Sequence, residues 1–175
     1  MKVNTLEDLL VHELRDLYSA EKQLTRALPK MAKATSNDDL ARLFREHLEE
    51  THEHLERLET VLSDLGKSTR GPACKGMEGL LAEADDLLDE VEDESVKNAA
   101  LVAAAQRAEH YEIAGYGTAR TYAQLLGIED AAELLQRTLD EEHAADVKLT
   151  KLAVDRVNQQ AQGANVRQDE EAQVE

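Results

Sequence analysis

Apolar residues recur every three or four positions along most of this chain, and this helical period limits its fold more than any other feature. The period predicts four long helices, which cover approximately residues 6–33, 38–65, 95–126 and 130–157. Asn37 or Asp38 can cap the second helix, and Gly66 and Gly127 follow the second and third. With 2 prolines and 3% aromatic residues, the composition suits helices better than a β-sandwich. The sequence therefore predicts an all-α chain.

The links between these helices differ in length, and the difference indicates the topology. Helices 1 and 2 are joined by a short link, as are helices 3 and 4, so each pair should be antiparallel. The long link between helices 2 and 3 contains KSTRGPACKGMEG and then the amphipathic stretch LLAEADDLLDEV, which predicts a helical crossover. This is the layout of a ferritin-like antiparallel four-helix bundle. We expect residues 1–158 to form it and residues 159–175, which have almost no apolar content, to be a disordered acidic tail.

The charge and the chain start limit the partners and the location. A formal net charge of −17 argues against nucleic acid as a partner, because phosphate binding needs a basic face. The first residues, MKVNTLEDLLVHEL, lack the basic segment and uninterrupted apolar run of a signal peptide, so we expect none, and no stretch is long and apolar enough to span a membrane. We therefore expect a cytoplasmic protein. Cys74 is the only cysteine, cannot form an internal disulfide, and is interpreted as a loop thiol.

Each predicted long helix carries an acid on or beside its apolar face. At about 100° per residue, Glu21 falls within the leucine stripe of helix 1, and Glu50 falls at the edge of the stripe of helix 2. Glu109 and Glu142 lie on the inner faces of helices 3 and 4. Four like charges in one core would repel each other strongly unless divalent cations neutralise them. Carboxylates mixed with imidazoles favour two iron or manganese ions.

Two stretches, HLEETHEH and TLDEEHAAD, contain apparent acid-x-x-His motifs that do not face the core. Glu49 lies opposite the leucine stripe of helix 2, and His52 lies off its flank. Asp140 and His143 fall outward or sideways on helix 4 in the same way. We therefore predict that these four residues are exposed and bind no metal.

The inward pairs in the same two stretches have a spacing of four. They are Glu50 with His54 in helix 2, and Glu142 with Asp146 in helix 4. The complete set of predicted metal ligands is Glu21, Glu50, His54, Glu109, Glu112, Glu142 and Asp146. His47 and His110 are candidates for additional ligands or for hydrogen-bonding partners of ligands.

A metal-free alternative remains open at this point. A single inward glutamate on a long helix is often a salt-bridge residue or part of a dimer interface. If these acids pair with Lys, Arg or His across the helices, the chain would be a dimeric structural or interaction protein.

Four segments closely resemble the YciE/YciF-like bacterial stress proteins of the ferritin-like superfamily: LYSAEKQL, HLEET, AAAQRAEHYEIAGYGTARTYAQLLG and TLDEEHAADVKLTKLA. The resemblance covers most of residues 4–157. It implies a four-helix ferritin-like bundle, a homodimer, and relatives that carry two iron or manganese ions. By position, it assigns one metal-binding acid to each helix: Glu21, Glu50, Glu109 and Glu142. The chain departs from the Glu-x-x-His pairs of di-iron proteins, because its inward pairs are spaced by four.

Together, these observations predict a stress-associated protein that binds a di-iron or di-manganese centre. Such a centre would reduce peroxide or dioxygen, as a peroxidase or catalase does, or would oxidise iron.

Overall fold

Helices make up nearly all of the computed structural model, which describes residues 3–163, and no strand occurs in that range. The five α-helices are α1 Leu6–Ala34, α2 Asp38–Asp64, α3 Lys75–Glu90, α4 Glu94–Leu125 and α5 Glu129–Leu152. A π-helical turn, Ala153–Val157, follows α5, and the helix then continues through residue 163. The four long helices and the short crossover helix, α3, confirm the predicted all-α architecture.

Local sequence signals account for the ends of these helices. The Thr5 hydroxyl accepts a hydrogen bond from the Asp8 amide (3.0 Å), and the Asp8 carboxylate accepts one from the Thr5 amide (3.1 Å), so the two form a capping box. The Asn37 side chain caps α2 by accepting a hydrogen bond from the Leu40 amide. Gly66 and Gly127 follow α2 and α4 with φ angles of 66° and 72°, a left-handed conformation that favours glycine.

Packing of the long helices closes a bundle. Three-residue links join α1 to α2 and α4 to α5, so each pair is antiparallel, and these two pairs make the most extensive contacts. Contacts of α1 with α4 and of α2 with α5 join the pairs, while α3 lies against α1 and α4. The fold is the predicted four-helix bundle with a helical crossover.

The apolar core is divided into two halves along the bundle. One half contains Leu24, Phe44 and Leu101, and the other contains Leu14, Leu58 and Leu135, among further residues in each. On every long helix, the residues between the two halves include buried acids or histidines. The fold therefore holds a polar layer between two apolar ones.

Two predictions concern the ends of the chain and the membrane. Within residues 3–163, no helix is long and apolar enough to cross a membrane. Helix covers residues 159–163, the beginning of the predicted disordered tail, and residues 164–175 lie outside the described residues.

Candidate metal centre

The polar layer consists of acids and imidazoles that are almost completely buried. Glu21, His54, Glu112 and Glu142 have 0% exposure, and Glu109 has 3%. Each of these residues belongs to the set of metal ligands predicted from the sequence. The structure brings all five together, although they come from four different helices.

These side chains form two adjoining groups with the geometry of metal sites. Glu21, His54 and Glu142 form the first group, and His47, Glu109, Glu112 and Glu142 form the second. Within each group, one potential ligand atom from every member lies within 4.8 Å of the others. Because Glu142 belongs to both groups and has two carboxylate oxygens, it can bridge two cations.

Several buried atoms in this layer have no hydrogen-bond partner within residues 3–163. They are His54 Nδ1, both carboxylate oxygens of Glu112 and of Glu142, and one oxygen each of Glu21 and Glu109. Buried polar atoms without partners destabilise a protein, so a concentration of them needs a physical reason. Cations would satisfy all of these oxygens and the imidazole nitrogen, and a mixed O/N donor set suits iron or manganese. The residues present therefore fit the predicted metal pair.

In the absence of a cation, protons balance the charge of this layer. Burial, together with the nearby carboxylates, raises the pKa of Glu109 and of Glu112 well above the usual value. Burial alone would lower the pKa of His54, but Glu142 and Glu21 outweigh it and raise the pKa to about 10. Burial likewise opposes the charging of Glu142, but its contacts with His54 and His47 lower its pKa. The raised pKa values of Glu109, Glu112 and His54 favour protonation of these groups, which offsets part of the negative charge of the layer.

A second shell of side chains holds the His54 ring in place. On one side, Nδ1 faces the layer, 3.0 Å from Glu142 Oε1 and 3.3 Å from Glu21 Oε1. On the other side, Nε2 lies 3.1 Å from Glu141 Oε2. Arg57 binds Glu141 through both terminal nitrogens and also donates to Thr138 Oγ1 at 3.0 Å. A carboxylate behind a histidine in this way fixes the ring orientation and favours a ligating Nδ1.

The sequence did not identify Glu141, Arg57 or Thr138 as part of the site. One signal was available for Arg57, because it lies three residues after His54 and directly before Leu58, on the stripe of α2 that faces the core. A guanidinium in such a position needs a buried acid as partner.

His47 occupies the position that the sequence analysis gave to Glu50. The His47 Nε2 atom lies 3.4 Å from Glu109 Oε1 and 3.8 Å from Glu142 Oε2. Its Nδ1 lies 3.3 Å from Glu50 Oε2, and the other Glu50 oxygen lies 3.5 Å from the Lys148 ammonium. Glu50 is therefore behind His47 and outside both groups, because its position at the edge of the helix stripe directs it toward Lys148 and solvent.

Asp146 also lies outside the two groups. Its carboxylate accepts a hydrogen bond from Gln106 Nε2 at 2.9 Å and lies 3.5 Å from His110 Nε2. One helical turn separates it from Glu142, which places it at the margin of the layer. The His110 side chain itself is 67% exposed.

The four residues of the apparent motifs are on the surface. Glu49, His52, Asp140 and His143 are all exposed. For these four residues, helical geometry correctly predicted exposure although the local sequence imitates a metal motif.

Tyr116 completes the buried surroundings of the first group. Its hydroxyl donates to Glu21 Oε1 at 2.5 Å, and its ring centroid lies 6.1 Å from that of His54. This contact occupies one oxygen of Glu21 and leaves the other, Oε2, facing the layer without a partner among residues 3–163.

A narrow crevice reaches the second group from outside. It is lined in part by His47, Glu50, Glu109 and Lys148, and its volume of about 10 Å³ is close to the minimum for one water molecule. Two members of the second group, His47 and Glu109, line the crevice, and Glu112 and Glu142 do not. Glu21 and His54, which belong only to the first group, do not line it either.

Comparisons with known proteins agree with this fold. The chain is 51% identical to YciF of Escherichia coli over 163 residues, which is 93% of this chain and 98% of YciF. The crystal structure of that stress protein matches with a TM-score of 0.85, covering 89% of this chain and 99% of the other. YcfI of Rhodopseudomonas palustris matches with 47% identity and a TM-score of 0.83, over 85% of this chain and 95% of that one.

A more distant structure places the fold in a wider group. The two-domain protein of Anabaena variabilis, which contains a DJ-1/ThiJ/PfpI-like and a ferritin-like domain, matches with 20% identity and a TM-score of 0.58. The match covers 89% of this chain and 38% of that one, and it concerns the fold alone. Residues 5–162 match the family described as a domain of unknown function, DUF892. This chain is therefore a member of the DUF892 family, with the ferritin-like helical fold and a YciF-like sequence.

Proposed function

We propose that this protein binds two iron or manganese ions in the polar layer and that the loaded protein reduces peroxide or dioxygen. One observation carries the proposal: buried carboxylate oxygens and an imidazole nitrogen converge in two adjoining groups without hydrogen-bond partners among residues 3–163. When bound, such a metal pair would supply Lewis acidity and two electrons at an O–O bond, and a second peroxide molecule or an external reductant would return those electrons.

The side chains of the layer have separate roles in this proposal. Glu21 and His54 would hold one ion, His47, Glu109 and Glu112 would hold the other, and Glu142, which belongs to both groups, would contribute to both. Arg57 and Glu141 fix the His54 ring so that its Nδ1 faces the polar layer and would be available as a ligand, while the Tyr116 hydroxyl fixes Glu21. The apolar halves of the core on either side exclude water and strengthen every electrostatic interaction in the layer.

The biological setting is proposed from the relatives. YciF is described as a stress protein of E. coli, and this chain is 51% identical to it. We extend this role to the present protein, as a homodimer in the cytoplasm that acts on oxidants in a stress response.

A metal-free structural role is the second candidate, and one contact favours it. The His54 imidazole lies between Glu142 and Glu21, and its pKa of about 10 keeps it protonated at neutral pH, so it can neutralise buried acid without an ion. YcfI is described as a candidate structural protein. In this case the layer would only define the register of the four helices.

Peroxide consumption by the iron- or manganese-loaded protein distinguishes these functions. We expect turnover that depends on added metal and falls by about 100-fold in Glu142→Gln, because that change removes the shared ligand. The exposed Glu49→Gln variant carries the same charge change and should retain full activity. Turnover that is independent of metal, or equal in the two variants, would contradict the redox function.

A further inference from the structure

A second polar site lies on the outer side of α1, away from the acidic layer. There α1 and the loop before α3 enclose a cleft of about 530 Å³. Four cationic side chains line it, from Arg15, Lys22, Arg26 and Arg70, and the one acid that lines it is Glu78. This is a local concentration of positive charge in a chain of net charge −17.

Two of the cations in this cleft, Arg26 and Arg70, are poorly compensated by protein groups. Within residues 3–163, neither Arg26 nor Arg70 takes part in an ion pair, and Lys22 lies over the ring of Tyr18, 5.6 Å from its centroid. By contrast, eight of the described arginine and lysine side chains outside the cleft form ion pairs with acids. Two guanidinium groups that lie in one cleft without an ion-pair partner among residues 3–163 raise the potential there and attract anions.

The loop wall of the cleft is fixed to α1 at both of its ends. Arg15 Nε donates to the Ser68 carbonyl at 2.9 Å, and the Cys74 amide donates to the Ser19 hydroxyl at 2.8 Å. Gln23 Nε2 donates to the Cys74 carbonyl at 2.9 Å, and the Cys74 side chain is completely buried. Gly71 lies so close to α1 that a Cβ there would be 3.0 Å from Arg15 Cβ. The cleft is thus formed in advance, which lowers the entropy lost when a ligand binds.

The sequence contained part of this signal. Residues 15, 22 and 26 are spaced by seven and four, so they share one face of α1, and Lys22 adjoins Glu21 but points to the opposite side. Arg70 comes from the loop, 44 positions beyond Arg26, and no local pattern could connect it to the other three.

We propose that this cleft binds a soluble small molecule that carries a phosphate or diphosphate group. Guanidinium groups form paired hydrogen bonds with phosphate oxygens, and two of the arginines here, Arg26 and Arg70, are exposed and able to do so. A concave volume of about 530 Å³ lies in the range of small-molecule sites. A nucleic acid would meet four cations and then the repulsion of the remaining acidic surface.

Calorimetric titration of the metal-free protein with inorganic pyrophosphate tests this site without involving the metal centre. We expect saturable binding that weakens by at least about tenfold in Arg26→Gln/Arg70→Gln, since each lost charged hydrogen-bonding group is worth roughly that factor. Arg45→Gln/Arg107→Gln is the matched control, because both residues are exposed and lie outside the cleft. It should bind pyrophosphate within about twofold of the unmodified protein.

Three results would overturn the proposal. The first is no saturable binding up to about 5 mM pyrophosphate, far weaker than metabolite sites. The second is an equal loss of pyrophosphate affinity in the two double variants, which would mean that binding depends on the overall charge and not on the cleft. The third is binding only to phosphatidylcholine vesicles that contain phosphatidate, which would assign the same phosphate chemistry to a lipid surface. Because the cleft variants leave the acidic layer unchanged, none of these results bears on the metal proposal.

Discussion

At the scale of single residues, the orientation of His54 depends on side chains that do not belong to either metal group. Glu141 accepts from its Nε2, and Arg57 holds Glu141. Arg137 also contacts Glu141, with its Nε 3.3 Å from Oε1, but its side chain is 63% exposed. Arg57 and Arg137 therefore contact the same carboxylate, Arg57 from the protein interior and Arg137 from the surface.

Replacement of Arg57 should weaken metal binding through His54 alone. We expect Arg57→Gln to lower the affinity for iron or manganese by about 10- to 100-fold, the usual effect of losing a group that orients a ligand. Arg137→Gln should change the affinity by less than about twofold, because exposed ion pairs contribute little. Metal titration measures the affinity of each variant, and thermal unfolding of each metal-free variant shows whether the substitution has also destabilised the fold. Equal affinities in both variants would show that Glu141 does not position His54.

The sequence predicted most residues of the layer correctly, and its limits arose at the edges of the helical faces. Glu21, His54, Glu109 and Glu142 lie on the inner faces of their helices, so a rotation of 100° per residue is enough to place them together, whereas Glu112 was expected at the margin of its face and is completely buried. At a stripe edge the direction of a side chain depends on its neighbours. Glu50 turns toward Lys148 and Asp146 toward Gln106, and these tertiary contacts are not visible in the local sequence.

At the scale of the helices, the approach of α4 to α1 depends on a single glycine. A Cβ at Gly115 would lie 2.7 Å from Leu17 Cδ2, and Leu17 is 1% exposed within the core. Two residues further along α4, a Cβ at Gly117 would meet only Leu139 Cδ2, at 3.9 Å. The first contact requires a shift of the core, whereas the second is ordinary van der Waals contact.

These two glycines give a matched stability test of the helix packing. Gly115→Ala should lower the free energy of unfolding by about 1–2 kcal/mol, since overpacking exceeds the gain in helix propensity. Gly117→Ala should leave it unchanged or raise it by about 0.5–1 kcal/mol. Denaturant unfolding of both variants measures the difference. A Gly115→Ala variant as stable as Gly117→Ala would mean that α1 and α4 are not in such close contact.

The helices themselves were well predicted because their period and caps are local. The left-handed glycines at 66 and 127 and the cap at Asn37 mark the same ends in the sequence and in the structure. The role of the crossover was less evident. Cys74, interpreted as a loop thiol, is the N-cap of α3 and is buried against Asp16 and Tyr111, a contact made by residues distant in sequence.

At the scale of the whole molecule, protonation of the acidic layer links stability to pH. The folded pKa of His54, about 10, lies above its usual 6.5, so its contribution is complete below about pH 6.5 and is lost as the pH rises toward 10. The pKa values of Glu109 and Glu112 are raised above 4.5, so their contribution to the free energy of unfolding also falls as the pH rises. The metal-free protein should therefore unfold at lower temperature as the pH increases from about 6 to about 9.

Metal should reverse this trend, because cations compete with the same protons. The increase in Tm produced by iron or manganese should grow over the same pH range. Over this pH range, the Tm of metal-free His54→Gln should fall less than the Tm of the unmodified metal-free protein. This comparison distinguishes the titration of the polar layer from general repulsion between surface acids. A metal-free Tm that is constant or rises between about pH 6 and 9 would contradict this charge balance.

The metal content of the purified protein, from cells grown with iron and manganese, tests the central claim most directly. We expect about two ions per chain after dialysis, and fewer than about one in Glu142→Ala, which lacks the residue shared by both groups. Glu49→Ala, an exposed control of equal charge change, should retain both ions. Less than about 0.2 ion per chain, with a Tm unchanged by added metal, would contradict the account and favour the structural role.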